Sequence, residues 1–281
     1  MDEMVALGVT WTTIAFGALQ STAQSVDIPY DAAPTVTDDE VRWAIRAAKR
    51  RGLRVCLKPV VNVADGTWRA FISFFARDAP GEPSWSQWFA AYQAFVVHFA
   101  RLAEEEGCDL FYVGCEMVMS DGRDAEWRGV IRAAREVYRG PITYNCDKYQ
   151  EDQITWWDDV DVMSSSGYYP TGTWEVQLDR IETAVVAAGK PFFFMEAGCP
   201  SREGSALRPN DWAHPGPLSL DEQERYYQEM FAACASRDWA AGLMLWDWPA
   251  HLYSRESANT DEGYCVYGKP SARVVSRYYT S

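Results

Sequence analysis

The sequence is short of positive charge, with 26 Lys and Arg against 40 Asp and Glu and a formal charge of −14. Nucleic acid or an anionic membrane surface would be repelled by that balance, so neither is expected as a partner. Histidine is scarce: His98, His214 and His251 have no ligand spacing, and no CxxC pair occurs among the seven cysteines. No metal site is expected. The GxGxxG and GxxxxGK[ST] loops and the GxSxG elbow are absent too, which argues against a nucleotide cofactor and a serine hydrolase of the elbow type. No cofactor is expected. No window reaches about 18 uninterrupted apolar residues, and the start, MDEMVALG, has neither a basic n-region nor a long apolar h-region. The expectation is a soluble protein with no leader.

What is present is enough apolar residue, 48% of 281, for a sizeable core. That length suits one α/β domain, and no composition shift, linker, repeat or low-complexity stretch divides it. Residues 1–281 read as a single domain. Cys56, Cys108, Cys115 and Cys146 fall within expected strands and Cys199 just after one, a pattern of small buried thiols rather than a disulfide framework. A reducing compartment, and hence a cytoplasmic location, follows as the expectation. Aromatics are abundant, with 13 Trp and 15 Tyr. Core packing accounts for most of them, and sugar-stacking platforms are the functional alternative for the rest.

Along the chain, strands alternate with helices. Val9 to Phe16 is β-branched and aromatic, and a polar loop follows to Pro34. Thr37 with Glu40 has capping-box spacing and opens a helix carrying Val41, Ala44, Ile45 and Ala48, stopped by Gly52. Leu53 to Val61 is an apolar run of the kind buried on both faces of a parallel sheet. Ser84 with Gln87 caps a helix from Trp85 to Glu106. Cys108 to Glu116 contains the next strand, and Asp124 to Tyr138 the next helix. Strands over Ile142 to Cys146 and Val160 to Tyr169, a helix over Trp174 to Ala188 and a strand within Pro191 to Pro200 continue the alternation. After an irregular loop to Pro217 come a helix from Ser219 to Arg237, a strand from Gly242 to Trp248 and a helix from Ser271 to Tyr279.

This alternation predicts an α/β fold of the (β/α)8 TIM-barrel type. Polar and aromatic groups collect where strands end, at Lys58, Asn62, Glu116, Asn145, Asp147, Tyr168, Glu196 and Trp246, and in such barrels that end carries the active site. Only seven strands can be counted, so a first βα unit is expected to be missing. An open edge would favour a homo-oligomer.

Two of those residues suggest chemistry. Glu116 and Glu196 each stand at the carboxyl end of an apolar run that follows a helix stopped by Gly107 or Gly189. Retaining glycosidases use a protonated carboxyl to assist the leaving oxygen and an ionised one as nucleophile, about 5–5.5 Å apart. Apolar neighbours such as Val113 and Met117 would keep one protonated, and Tyr168 or Asn145 would hold the other ionised by hydrogen bonding. Lys58, at an expected strand end, offers either a sugar contact or a partner for a structural acid. Trp246 and Trp248 flank Asp247 with period two, so one would face the interior; Trp246 is preferred as the sugar platform. A rival reading is a carbohydrate-binding barrel without catalysis.

The runs LKPVVN (Leu57 to Asn62), DGTWRA (Asp65 to Ala70), Trp88 to Glu116, Glu126 to Asn145, WWDDVDV (Trp156 to Val162), YYP (Tyr168 to Pro170) and FFFMEAGCPS (Phe192 to Ser201) together resemble glycoside hydrolase family 113. The likeness spans about residues 5 to 275. It implies a retaining (β/α)8 enzyme whose acid/base and nucleophile follow the fourth and seventh strands, acting on β-1,4-mannan. It also implies the acid/base role for Glu116 and the nucleophile role for Glu196. A neutral oligosaccharide is the expected substrate, with Lys58, Asn62, Asn145, Tyr168, Trp246 and Trp248 as the candidate binding residues. The first visible strand would be the family's second. The chain departs from the family's pattern at Val60, at Asn145-Cys146-Asp147-Lys148 and at Ser166-Gly167, positions that shape sugar subsites, so a xylan- or glucan-type linkage stays open.

Overall fold

The computed structural model describes residues 1–30, 33 and 35–280. Pro34, the expected end of the first polar loop, lies outside the described residues. Seven strands and seven α-helices are found among those described, and the sheet order β1-β2-β3-β4-β5-β6-β7 follows the chain. Every crossover therefore joins sequence neighbours. Two compact units divide the chain: Trp11–Ser164, and Met1–Thr10 with Ser165–Ser281.

The first unit holds β1 (Trp11–Gln20), α2 (Asp38–Lys49), β2 (Arg54–Val63), α3 (Trp85–Glu105), β3 (Leu110–Cys115), α4 (Asp124–Arg135) and β4 (Ile142–Cys146). β5 (Val162–Ser166) begins within it. Both expected capping boxes form, Thr37 with Glu40 and Ser84 with Gln87. β1 starts and ends later than its apolar pattern suggested, because it pairs with β2 over ten residues, from Trp11 opposite Arg54 to Gln20 opposite Val63. That pairing makes β2 long enough to leave Lys58 in mid-strand rather than at its end. Tyr138 lies beyond the end of α4, yet stays buried because its hydroxyl donates to the Cys108 carbonyl (2.8 Å).

Aromatic packing dominates this core. Trp88 stacks on Tyr92 with centroids 4.6 Å apart, and Trp127 on Trp156 at 5.3 Å. β3 is buried at every residue, and its pairing with β4 skips: Tyr112 faces Thr143 while Cys115 faces Asn145. One extra residue on β3 is thus accommodated as a bulge at Val113–Gly114, the device that re-aims a strand end. The Val113 carbonyl takes its hydrogen bond from the Tyr92 hydroxyl (2.9 Å). Gly114 is required there, since a Cβ would stand 2.8 Å from both Trp127 and Tyr144 ring carbons.

The second unit contains α1 (Asp2–Ala6), α5 (Trp174–Ala188), β6 (Phe192–Ala197), α6 (Leu220–Ala235), β7 (Ala240–Leu245) and α7 (Ser271–Tyr279). α5 ends on Gly189 at φ 62, the left-handed stop that glycine supplies. Ser219 caps α6 through the Glu222 amide. β6 pairs parallel with β7, and its register also skips, with Phe194 opposite Leu243 but Ala197 opposite Leu245. The extra residue lies at Met195–Glu196. β7 ends at Leu245, so Trp246 and Trp248 belong to the following loop and the period-two assignment does not apply to them. The loop before α6 is irregular apart from one 3₁₀ turn, Ser205–Leu207, and an isolated antiparallel bridge between Arg202 and Leu218. All seven cysteines are free and buried. Among the described residues no helix is long and apolar enough to cross a membrane.

Candidate active site

In the first unit the β3 bulge delivers Glu116 just past the strand. Its amide bonds to the Asn145 carbonyl (2.8 Å) and its backbone takes φ +52, a left-handed conformation rare for a residue with a side chain. The side chain is buried. Arg69 Nη1 donates to Glu116 Oε2 (2.8 Å), and Trp68 Nε1 reaches the same oxygen at 3.4 Å. Apolar neighbours such as Val113 and Met117 were expected to favour the protonated form of one carboxyl; at Glu116 an ion pair with Arg69 is found. The DGTWRA segment makes it: Asp65 accepts from the Thr67 amide across a turn at Gly66, and a 3₁₀ turn over Arg69–Phe71 follows.

Asn62, near the end of β2, holds this arginine. Its Oδ1 accepts from Arg69 Nε (3.1 Å) and Nη2 (2.8 Å). Asn62 thus acts on Glu116 through Arg69. Asn145, expected as an alternative to Tyr168 for hydrogen-bonding the ionised carboxylate, lies against β3, its Nδ2 donating to Cys115 Sγ (3.6 Å) and the Cys146 carbonyl (3.4 Å). Lys58 is buried in β2 with Nζ 5.1 Å from the Tyr112 ring centroid, a core position rather than a strand-end one.

Two further carboxyls stand close by. Burial, and then the charge of Glu116, pushes Asp147 up to about 7. Burial raises Asp121 to about 6 against the opposing hydrogen bond from Tyr144. Exposed aromatics Trp68 and Phe71 meet edge-on at 5.6 Å beside Glu116, a surface suited to a sugar ring.

In the second unit Glu196 is the penultimate residue of β6, at its bulge, and is buried. The Tyr168 hydroxyl donates to Glu196 Oε2 (3.0 Å), and the Gly167 amide to the Glu196 carbonyl (2.6 Å). Tyr264 meets Tyr168 edge-on at 6.4 Å and is itself tied by its hydroxyl to the Pro209 carbonyl (2.6 Å). The loop carrying Tyr264 is fixed by a buried Lys269, which pairs with Asp261 (2.6 Å) and donates to Ser201 Oγ (2.9 Å) and the Gly263 carbonyl (2.8 Å). Trp246 bonds through its amide to the Ala197 carbonyl (2.8 Å), and the residue is 38% exposed. Trp248 packs edge-on against Tyr267 (5.8 Å). Asp247 between them is raised by burial.

Of the expected residues, Asn62 and Asn145 gather around Glu116 and Tyr168 around Glu196. Trp68, Arg69 and Asp121 are site-neighbourhood residues that the strand-end pattern does not mark. Asp147 did carry a signal, as a charged residue just past an apolar strand. Arg69 and Trp68 sit in a polar loop where no periodicity marks them.

The model of Glycoside Hydrolase Family 113 matches residues 1–269. Among solved structures, a family 113 β-1,4-mannanase is 49% identical, with a TM-score of 0.97 over 99% of this chain and 90% of that one. The family 113 β-mannanase AaManA from Alicyclobacillus acidocaldarius, solved in complex with ManMIm, is 44% identical, with a TM-score of 0.95 and the same coverage. A fungal β-1,4-galactanase at 17% identity and a TM-score of 0.62 shares the fold alone. No curated protein matches. The fold is therefore of the (β/α)8 type and the protein is a glycoside hydrolase. The chain belongs to Glycoside Hydrolase Family 113.

Proposed function

We propose that the enzyme is a retaining β-1,4-mannanase in which Glu116 is the acid/base and Glu196 the nucleophile. The observation that carries this reading is the Tyr168–Glu196 hydrogen bond: it supplies a donor to a buried carboxylate that must stay ionised to attack. The substrate class follows from the two β-mannanase relatives at 49% and 44% identity.

In the first step a Glu196 oxygen attacks the anomeric carbon as the glycosidic bond breaks, and Glu116 gives its proton to the departing oxygen. Arg69 and Trp68 both donate to Oε2 of Glu116, which directs that proton to Oε1. A covalent mannosyl-enzyme results. In the second step ionised Glu116 takes a proton from water, the water oxygen attacks the anomeric carbon, and the bond to Glu196 breaks. Two inversions leave the product with the starting β-configuration.

Incubation with β-manno-, xylo- and gluco-oligosaccharides, with products identified by mass and the first-formed anomer by proton NMR, tests the reading. Cleavage of manno-oligosaccharides with β-anomer formed first is expected. Preference for xylo- or gluco-substrates would overturn the substrate, and an initial α-anomer the mechanism.

A further inference from the structure

The segment from Glu116 to Asp121 is pinned at unusually many points. Beyond the Glu116 amide, the Met117 amide donates to the Tyr144 hydroxyl (3.0 Å), and that hydroxyl donates to Asp121 Oδ1. The Met117 carbonyl accepts from both the amide and the hydroxyl of Ser120 (each 2.8 Å). Two indoles complete the fixation, Trp127 Nε1 on the Ser120 carbonyl and Trp156 Nε1 on the Asp121 carbonyl (each 3.0 Å). Tyr144 and Asp121 are both buried.

Direction matters in this chain of bonds. A tyrosine hydroxyl has one proton, and a carboxylate can only accept, so Asp121 takes that proton and leaves the Tyr144 oxygen to receive the Met117 N–H. Met117 is the residue directly after Glu116, whose φ of +52 is disfavoured and persists only where its surroundings over-determine it. The Asn145 carbonyl fixes one side of that turn and the Tyr144 hydroxyl the other. A buried carboxyl is costly to keep, and neither step of the hydrolysis uses Asp121.

We infer that Asp121 and Tyr144 are positioning residues for the proton donor: Asp121 aims the Tyr144 hydroxyl, which holds the Met117 amide and thereby the left-handed turn presenting the Glu116 carboxyl. This rests on the acid/base role proposed for Glu116. Its signature is dependence on the leaving group, because a sugar hydroxyl departs only with proton assistance and a dinitrophenolate departs without it.

The test compares kcat/KM for mannotetraose and for 2,4-dinitrophenyl β-mannobioside. Tyr144→Phe keeps the ring packing and removes only the hydroxyl. For Tyr144→Phe and Asp121→Ala, kcat/KM on mannotetraose should fall about 10- to 100-fold, with KM within about threefold, while the dinitrophenyl substrate changes by less than about threefold. Asp121→Asn, which still accepts the Tyr144 proton, should recover most of what Asp121→Ala loses. Equal loss on both substrates, no loss on mannotetraose, or an Asp121→Asn enzyme as impaired as Asp121→Ala would each overturn the positioning role. Glu116→Ala is the control. If it too loses both substrates equally, the acid/base role fails; if its loss is selective while that of Tyr144→Phe is not, the positioning role alone fails.

Discussion

Arg69 Nη1 lies 2.8 Å from Oε2 of Glu116, and the same guanidinium is held through Nε and Nη2 by Asn62 Oδ1. Both side chains of the pair are largely out of water, at 17% and 10% exposure, so the contact fixes geometry rather than decorating a surface. The Glu116 carboxyl, proposed as the acid/base, thus hangs from an arginine that hangs from a strand-end amide.

Removal of Arg69 should therefore cost more than removal of Asn62. Arg69→Ala is expected to lower kcat/KM on mannotetraose about 100-fold and Asn62→Ala about 10-fold. Since Asn62 acts through Arg69, the double variant should be no worse than Arg69→Ala, a non-additivity that steady-state kinetics would reveal. Additive losses would mean that Asn62 contacts substrate independently.

Gly17 offers a way to disturb that anchor without disturbing the core. A Cβ at this β1 position would lie 2.7 Å from Asn62 Nδ2, the tip of a flexible side chain that can swing aside. Gly17→Ala should leave the melting temperature within about 2 °C, a surface-scale change in stability, yet lower kcat/KM several-fold as Asn62 releases Arg69. Unchanged kinetics would show that the Asn62 bonds are dispensable.

Asp147 predicts a pH dependence of stability. Its carboxyl is raised from an ordinary 3.8 to about 7, so the folded state binds a proton that the unfolded chain has released. Stability from this group is fully present below pH 3.8 and is lost as pH rises through about 7. Asp147→Asn removes the loss. Urea unfolding at pH 5 and pH 8 should show a decline in the parent that is smaller in the variant, by on the order of 1–2 kcal/mol once residual solvent screening is allowed for. An identical decline in both proteins would refute the assignment.

The two glutamates were legible because each closes an apolar run of strand length behind a helix stopped by glycine, a pattern that side-chain burial imposes on the sequence. Tyr168 was legible as a tyrosine at the carboxyl end of the strand expected over Val160 to Tyr169. Arg69 was not, because the Asp65-Gly66 turn before it is local while its reach to Glu116, 47 residues on, has no period to detect. The strand ending in Leu245 was overextended to Trp248 because GLMLWDW stays apolar after the pairing with β6 has stopped. Neither bulge could be read: only the closeness of Trp127 and Tyr144, distant in sequence, explains why β3 needs Gly114. Lys58 misled in the opposite sense, since a lysine in an apolar run suggests an exposed end and here lies buried against Tyr112.

Tyr168 offers the most direct probe of the nucleophile role proposed for Glu196. Its hydroxyl donates to Glu196 Oε2 at 3.0 Å within a buried setting, so it favours the ionised carboxylate that the proposed attack requires. Tyr168→Phe keeps the edge-on contact with Tyr264 and deletes only the donor. Without it the carboxylate is harder to form, so the acid limb of the kcat/KM profile should move to higher pH, and kcat at the optimum should fall about 100-fold. Loss of the donor from a structural tyrosine would lower stability and leave the acid limb where it was. A profile measured on 2,4-dinitrophenyl β-mannobioside separates the two, because departure there needs no proton from Glu116 and the acid limb then reports the attacking carboxylate.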